Sequence, residues 1–131
     1  MAVTIDGSAG ITTNAGGSVN PSTTIDGINY SCRAWVNFNG TGTPAIRASG
    51  NVTSITDNGT GDYTVNFTTA MADVNYCSLV TGGNQTGVDI TGYANIRDPA
   101  TQKLVGSVRV QIVISTSTPY DSNNVNVAIF R

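Results

Sequence analysis

Cys32 to Tyr76 reads CRAWVNFNGTGTPAIRASGNVTSITDNGTGDYTVNFTTAMADVNY, and its periodicity decides the fold class. From Cys32 to Phe38 apolar positions alternate: Cys32, Ala34, Val36 and Phe38 face one way, and Arg33, Trp35 and Asn37 the other. This two-residue period belongs to a strand with one buried face. Asn39-Gly40-Thr41-Gly42-Thr43-Pro44 offers residues that accept positive φ, then a proline that cannot continue a ladder, so the chain turns. A second strand follows, with Ile46 and Ala48 expected inward and Arg47 and Ser49 outward. Val52 and Ile55 are three positions apart, which demands one register shift, placed near Gly50 or Thr53. Asp57-Asn58-Gly59-Thr60-Gly61-Asp62 closes a hairpin, and Tyr63, Val65 and Phe67 resume the alternation.

The rest of the chain continues in the same vocabulary. Cys77 and Leu79 share one side of a strand, and Tyr76, Ser78 and Val80 the other; with apolar residues on both, this strand is expected inside a sheet. Gly82 to Gly87 is a flexible loop, and a short strand runs from Val88 through Tyr93 towards Ile96. Asp98 to Thr101 makes a turn. Val108, Val110, Ile112 and Ile114 alternate against Arg109, Gln111 and Val113. After a polar loop carrying Pro119, Tyr120 and Asp121, Val125, Val127 and Ile129 point one way and Ala128 and Phe130 the other. A single helical turn is expected at most, over Thr69 to Val74. Short strands separated by turn signals describe an all-β, antiparallel β-sandwich of jelly-roll-like type over residues 29–131. Residues 1–28, rich in Gly, Thr and Ser, lack a repeating apolar face and read as an extended attachment arm. Thr4-Ile5-Asp6-Gly7 recurs there as Thr24-Ile25-Asp26-Gly27.

The central segment resembles one found in tailed-bacteriophage tail-fibre and related appendage proteins. The residues that carry the resemblance are RAWVNF (Arg33–Phe38), IRAS (Ile46–Ser49) and SITDNGTGDYTVNFTTAM (Ser54–Met71), in that order. Ala72 departs from the pattern, in which a proline follows the methionine. The resemblance implies a virion structural protein that is trimeric, located in the virion after assembly in the host cytoplasm. Two roles are compatible with it. One is a tail fibre or short tail appendage that presents loops to the host surface; the other, favoured by the short length and a start at Met1, is a capsid decoration or head-fibre protein.

Composition narrows the chemistry. Every acid is Asp, and with 11% charged residues the Glu- and Lys-rich surface of helical proteins is missing. Six dispersed basic residues and a formal charge of −2 give no stripe for a phosphate backbone, so nucleic acid is not an expected partner. No apolar run approaches the roughly 20 residues that span a bilayer, and the start lacks a basic, hydrophobic leader, which leads to the expectation of a protein kept in the cytoplasm until release. The absence of histidine excludes Ser-His-Asp and Cys-His nucleophiles and histidine-ligated metals. No cofactor, metal or catalytic residue is expected. An Asp pair, Asp73 with Asp89, is the one glycosidase option to weigh, and few aromatics exist to line a cleft. Asp57 to Asp62 is oxygen-rich but lacks EF-hand spacing and reads as a hairpin.

Cys32 and Cys77 read as buried reduced thiols, with a disulfide as the alternative. Arg33, Trp35 and Arg47 share an outward side, where a guanidinium can stack on the indole; together with Ala128 and Phe130 they are the expected subunit-interface residues. The last strand is apolar on both faces and needs a second cover, which a neighbouring copy supplies. Receptor contacts are expected in loops at Asn84, Gln85, Tyr93 and Tyr120, reaching a host-surface glycan or protein. The arm would reach other virion proteins, of the tail or baseplate or, in the decoration role, the capsid.

Overall fold

The computed structural model describes residues 3–6, 10–13, 31–83, 92–97, 99–114 and 118–131. The chain divides into two compact units, Met1–Ser31 and Cys32–Arg131. In the first, β1 (Val3–Asp6) pairs antiparallel with β2 (Gly10–Thr13), Ile5 standing opposite Ile11.

The second unit is all-β, with two antiparallel sheets and one short helix, α1 (Pro99–Gln102), among the described residues. One sheet has four strands in the order β4 (Ala45–Gly50), β3 (Cys32–Asn39), β11 (Val125–Phe130), β7 (Cys77–Gly82). The other joins β5 (Val52–Gly59), β6 (Asp62–Phe67) and β9 (Ser107–Ile114), with β8 (Gly92–Ile96) and the two-residue β10 (Thr118–Pro119) also on β9. The inward rows are those the alternation marks. Ala34, Val36, Phe38, Val125, Val127 and Ile129 from the first sheet meet Tyr63, Val65, Phe67, Val108, Val110 and Ile112 from the second in one buried cluster. Phe38 stands edge-on to Tyr63 at 5.2 Å, and Phe67 edge-on to Tyr76 at 5.9 Å, the arrangement that ring quadrupoles favour.

Between β4 and β5 the chain leaves one sheet for the other, and Asn51 makes the corner. Its φ is 56°, a left-handed conformation that Asn tolerates better than most residues. Its side chain donates to Arg33 O (2.9 Å) and Thr69 O (3.0 Å) and accepts from Thr69 N (2.7 Å). The register shift that Val52 and Ile55 require follows at once: Val52 faces Phe67 and Ser54 faces Asn66, leaving Thr53 as the extra residue.

Several expectations need correction. Strand β4 is not a half-buried strand with Ile46 and Ala48 inward. A second shift between Asn37 and Phe38 places Ile46 on the Phe38 side but Ala48 opposite outward Asn37, and the strand is exposed along nearly its whole length. Strand β7 is an edge, bonded only to β11, rather than a strand inside its sheet. The helical turn is at Pro99–Gln102, not over Thr69 to Val74, which forms bends. Both cysteines are free and exposed, not buried. Each is the Cα partner of Phe130, one on either side of β11. They therefore stand two inter-strand spacings apart, about 9–10 Å, beyond the ~7 Å at which a bridge can close. The disulfide alternative fails on that geometry.

The buried phenols fasten the loops at opposite ends of the sheets. Tyr63 donates to Gly40 O and to Asp121 Oδ1, while Tyr76 donates to Leu104 O and Ser107 O. Burial raises both hydroxyl pKa values, Tyr76 from 10.0 to about 12 and Tyr63 further, with the Asp121 carboxylate adding to the rise. Since the fold favours the neutral phenols, their contribution is complete below the ordinary tyrosine pKa and is lost as pH climbs from about 10 through the folded values. In an alkaline titration, the Tyr63 and Tyr76 phenolates should appear late and together with the loss of the β-sheet circular-dichroism signal. Ordinary titration of both in folded protein would contradict this.

Candidate functional site

The outward surfaces of the two sheets differ. On the five-stranded sheet the row across β8, β9 and β6 is Asn95, Gln111 and Asp62, and the next is Arg109, Thr64 and Thr56. Arg109 grips Asp62 with two bonds (Nε to Oδ1 2.7 Å, Nη2 to Oδ2 3.0 Å), and Arg97 lies 3.3 Å from Oδ2. The hydrogen bond it donates to Asp62 raises the Arg109 guanidinium pKa above its ordinary value. Amides and hydroxyls complete this surface: Asn66 Nδ2 donates to Thr56 Oγ1 (2.9 Å) and Asn58 Nδ2 to Thr64 Oγ1 (2.9 Å). It is a polar face on which Arg109, Asp62, Asn66 and Asn58 find partners within the sheet.

The four-stranded sheet turns a mixed face outward, built in three rows across β3, β11 and β7. The first is Cys32, Phe130, Cys77; the second Trp35, Ala128, Leu79; the third Asn37, Asn126, Thr81. In the second row, small Ala128 lies between two large exposed side chains, Trp35 (44% exposed) and Leu79 (56%). The gap over it is a shallow groove of about 280 Å³ that continues over the third row. There Asn37 Nδ2 donates to Asn126 Oδ1 (2.7 Å) and Asn124 Oδ1 (2.6 Å), and Asn126 Nδ2 donates to Thr81 Oγ1 (3.2 Å). On the β4 side Trp35 stands opposite Gly50. A Cβ on Gly50 would come within 2.5 Å of the indole Nε1, so the indole lies directly on that bare backbone and is held there.

Searches of protein-family models, curated proteins and solved structures match nothing to this chain.

The expected interface residues are only partly gathered. Trp35 and Ala128 are direct partners, and Phe130 lies in the adjoining row, half-buried. Arg33 falls at the bulge between Ala34 and Cys32 in the pairing with β11. Arg47 falls at the bulge of the β3–β4 pairing and donates to Asn123 O (2.5 Å). The register thus sets Gly50, not Arg47, against Trp35, and Lys103 stands over the Tyr76 ring at 4.5 Å.

Of the expected receptor contacts, Asn84 and Gln85 lie outside the described residues, and of Tyr93 only the backbone, paired with Val113, is described. Tyr120 is a correction. It is 6% exposed, and its hydroxyl donates to Gly83 O at 2.9 Å. The ring belongs to the core, and its polar tip fastens the start of the loop that follows β7.

The candidate glycosidase pair is likewise reduced. Asp73 accepts from Asn75 N (2.7 Å) in a turn and pairs with Arg131, while Asp89 lies outside the described residues. Among the described residues no group of three or more His, Cys, Asp or Glu is placed to hold a metal ion.

Sequence reasoning missed Leu79, Thr81, Asn37 and Asn126 as one cluster. Their outward positions follow from alternation. Their adjacency follows only from the order β3-β11-β7, which joins segments far apart in the chain.

Proposed function

We propose that the chain is a structural protein of a tailed-phage virion, a tail fibre or short tail appendage that works as a homotrimer and presents loops to the host surface. The observation that carries this reading, beside the resemblance of the central segment, is that the two ends of the Cys32–Arg131 unit differ in kind. At one end the chain enters at Cys32 and finishes at Arg131, which pairs with Asp73. The exposed apolar side chains Val74, Leu104 and Val105 gather there with half-buried Phe130. At the other end are polar connections: Gly40 to Pro44, the Gly59–Gly61 hairpin tip, Gly83, and Asp121 to Asn124. Gly40 N donates to Ser122 O (2.8 Å), Gly83 N to Asn124 O (2.6 Å), and Gly61 N to Asp121 Oδ1 (2.8 Å), so these loops form one supported surface.

In this reading residues 1–28 dock to other virion proteins, the apolar end with Phe130 packs against sibling copies, and the polar end faces the host. Three weak sites on one rigid scaffold gain avidity without strong individual contacts. The jelly-roll-like description rests on the chain crossing between the sheets after β4, β6, β7 and β10.

The test is equilibrium sedimentation of the full chain at micromolar concentration, together with gold-labelled antibody on intact particles. A mass three times that of one chain, with label at the tail, is expected. A well-folded single chain would overturn the trimer, and label spread over the head would replace the adhesive role with capsid decoration.

A further inference from the structure

The groove over Ala128 joins two kinds of chemistry at the scale of a small ligand. Its volume of about 280 Å³ lies just below the range of ligand sites, which run from about 300 to 1,000 Å³. One wall is an indole, the opposite wall is Leu79, the floor is Ala128, and one side continues into an amide and hydroxyl row. Among the described residues, no charged side chain lines it.

The hydrogen-bonding capacity of that row is specific. Asn37 commits both amide hydrogens, to Asn124 and Asn126, which leaves its Oδ1 as an acceptor. Asn126 gives one amide hydrogen to Thr81 Oγ1, and among the described residues neither its second amide hydrogen nor the Thr81 hydroxyl hydrogen has a partner. An acceptor and two donors therefore stand side by side, next to a flat apolar wall. A group able to use all of them must donate and accept over a short distance and also carry an apolar face.

We propose that this groove binds a pyranose ring of a neutral glycan, its C–H face on Trp35 and its hydroxyls on Asn37, Asn126 and Thr81. A sugar hydroxyl both donates and accepts, which suits the row without help from a second protein. The lack of lining charge selects neutral sugars over uronates or sialates, because a carboxylate would lose water without gaining a cation. The bare backbone at Gly50 leaves room for the indole to lie flat against the sheet edge of the groove. One ring in an open groove gives weak affinity, in the millimolar range at about 4 kcal/mol, and repeated copies raise it. The inference rests on the adhesive reading for the reason such a site would exist, and it moves the contact from the loops to a sheet face.

Trp35 is the only tryptophan in the chain, so fluorescence excited at the red edge of the indole band, where tyrosine does not absorb, reports on this groove. The full chain is titrated with neutral di- and trisaccharides of glucose, galactose, mannose and N-acetylglucosamine, with sialyllactose and a uronate disaccharide as charged comparisons. A saturable fluorescence change with at least one neutral sugar, and none with the charged ones, is expected. Thr81→Val, on an exposed edge strand, should weaken it at least threefold with an unchanged unfolding midpoint. Trp35→Ala should abolish the binding heat in calorimetry, and Trp35→Phe should retain part of it. Acrylamide should quench Trp35 freely in the assembled protein.

Absence of a saturable change with every neutral sugar would overturn the proposal, and so would an indole shielded from acrylamide by a sibling chain. Binding of the chain to host cells that Thr81→Val and Trp35→Phe leave untouched would overturn the groove while sparing the adhesive reading. Label confined to the head would remove the adhesive reading while leaving the sugar titration to stand by itself.

Discussion

Phe38→Ala is expected to destabilise the Cys32–Arg131 unit by about 3–5 kcal/mol, the range for removing a buried phenyl ring. Phe38 is fully buried and touches both sheets, standing edge-on to Tyr63 at 5.2 Å. The loss should lie towards the upper end because the neighbour best placed to fill the void cannot move. The Tyr63 hydroxyl hydrogen is shared between Gly40 O at 3.0 Å and Asp121 Oδ1 at 2.9 Å, so rotating the ring into the cavity would break that attachment. Against the roughly 5–15 kcal/mol that holds a typical domain together, the variant should sit close to its unfolding limit. Urea unfolding at fixed protein concentration, read as a fall in midpoint with unchanged slope, measures it. Phe38→Leu should recover more than half of the loss. A deficit below about 1 kcal/mol for Phe38→Ala would mean that the sheets close over the gap and that the core is not set by this contact.

What the sequence could reveal follows the same division between local and non-local causes. The inward rows of β3, β6, β9 and β11 are legible because a half-buried strand imposes its period on neighbouring residues. The register shift at Thr53 is legible too, since Val52 and Ile55 cannot share a face without one. Errors begin where a second chain segment decides the outcome. The bulge opposite Phe38 moved Ala48 outward, and nothing between Ala45 and Gly50 announces it. Cys32 belongs by period with Ala34, yet the shift between Ile129 and Phe130 pairs it with Phe130 instead. Tyr120 reads as a loop tip because its neighbours are polar, and it is buried because Gly83, 37 residues earlier, offers its hydroxyl a carbonyl. The groove was illegible for that same reason: each side chain is readable as outward, and none announces its partner.

The difference between the outer faces gives the domain a direction that neither sheet has alone. Asp62, Arg109 and the Asn and Thr ladder satisfy one another on one side. On the other, Trp35 and Leu79 remain exposed beside amides with unused capacity. Apolar side chains left in water next to such amides are expected where a ligand or a neighbouring chain completes the surface.

Gly61→Ala should be the most damaging single-methyl change in the hairpin, and Gly42→Ala isolates the reason. Both glycines have φ of 66°, so each alanine meets the same left-handed backbone penalty, about 1–2 kcal/mol. At Gly42 nothing lies within 4 Å of the new Cβ, and that penalty should be the whole effect. At Gly61 the methyl would stand 2.5 Å from Ile112 O and 2.7 Å from both Tyr120 N and Tyr120 O. These are backbone atoms held by the sheet, so no side chain can swing aside, and overpacking should add about 1–3 kcal/mol more. The distortion falls where three segments meet. Gly61 O accepts from Ile112 N at 2.8 Å, Gly61 N donates to Asp121 Oδ1 at 2.8 Å, and Tyr120 N donates to Ile112 O at 3.2 Å. Gly61→Ala should therefore lower the urea midpoint well beyond Gly42→Ala, and amide exchange at Ile112 and Tyr120 should quicken before the rest of β9 is affected. Equal losses for the two variants would show that the tip moves away from β9 without penalty, and that the polar loops are not fastened to the sheet through Gly61.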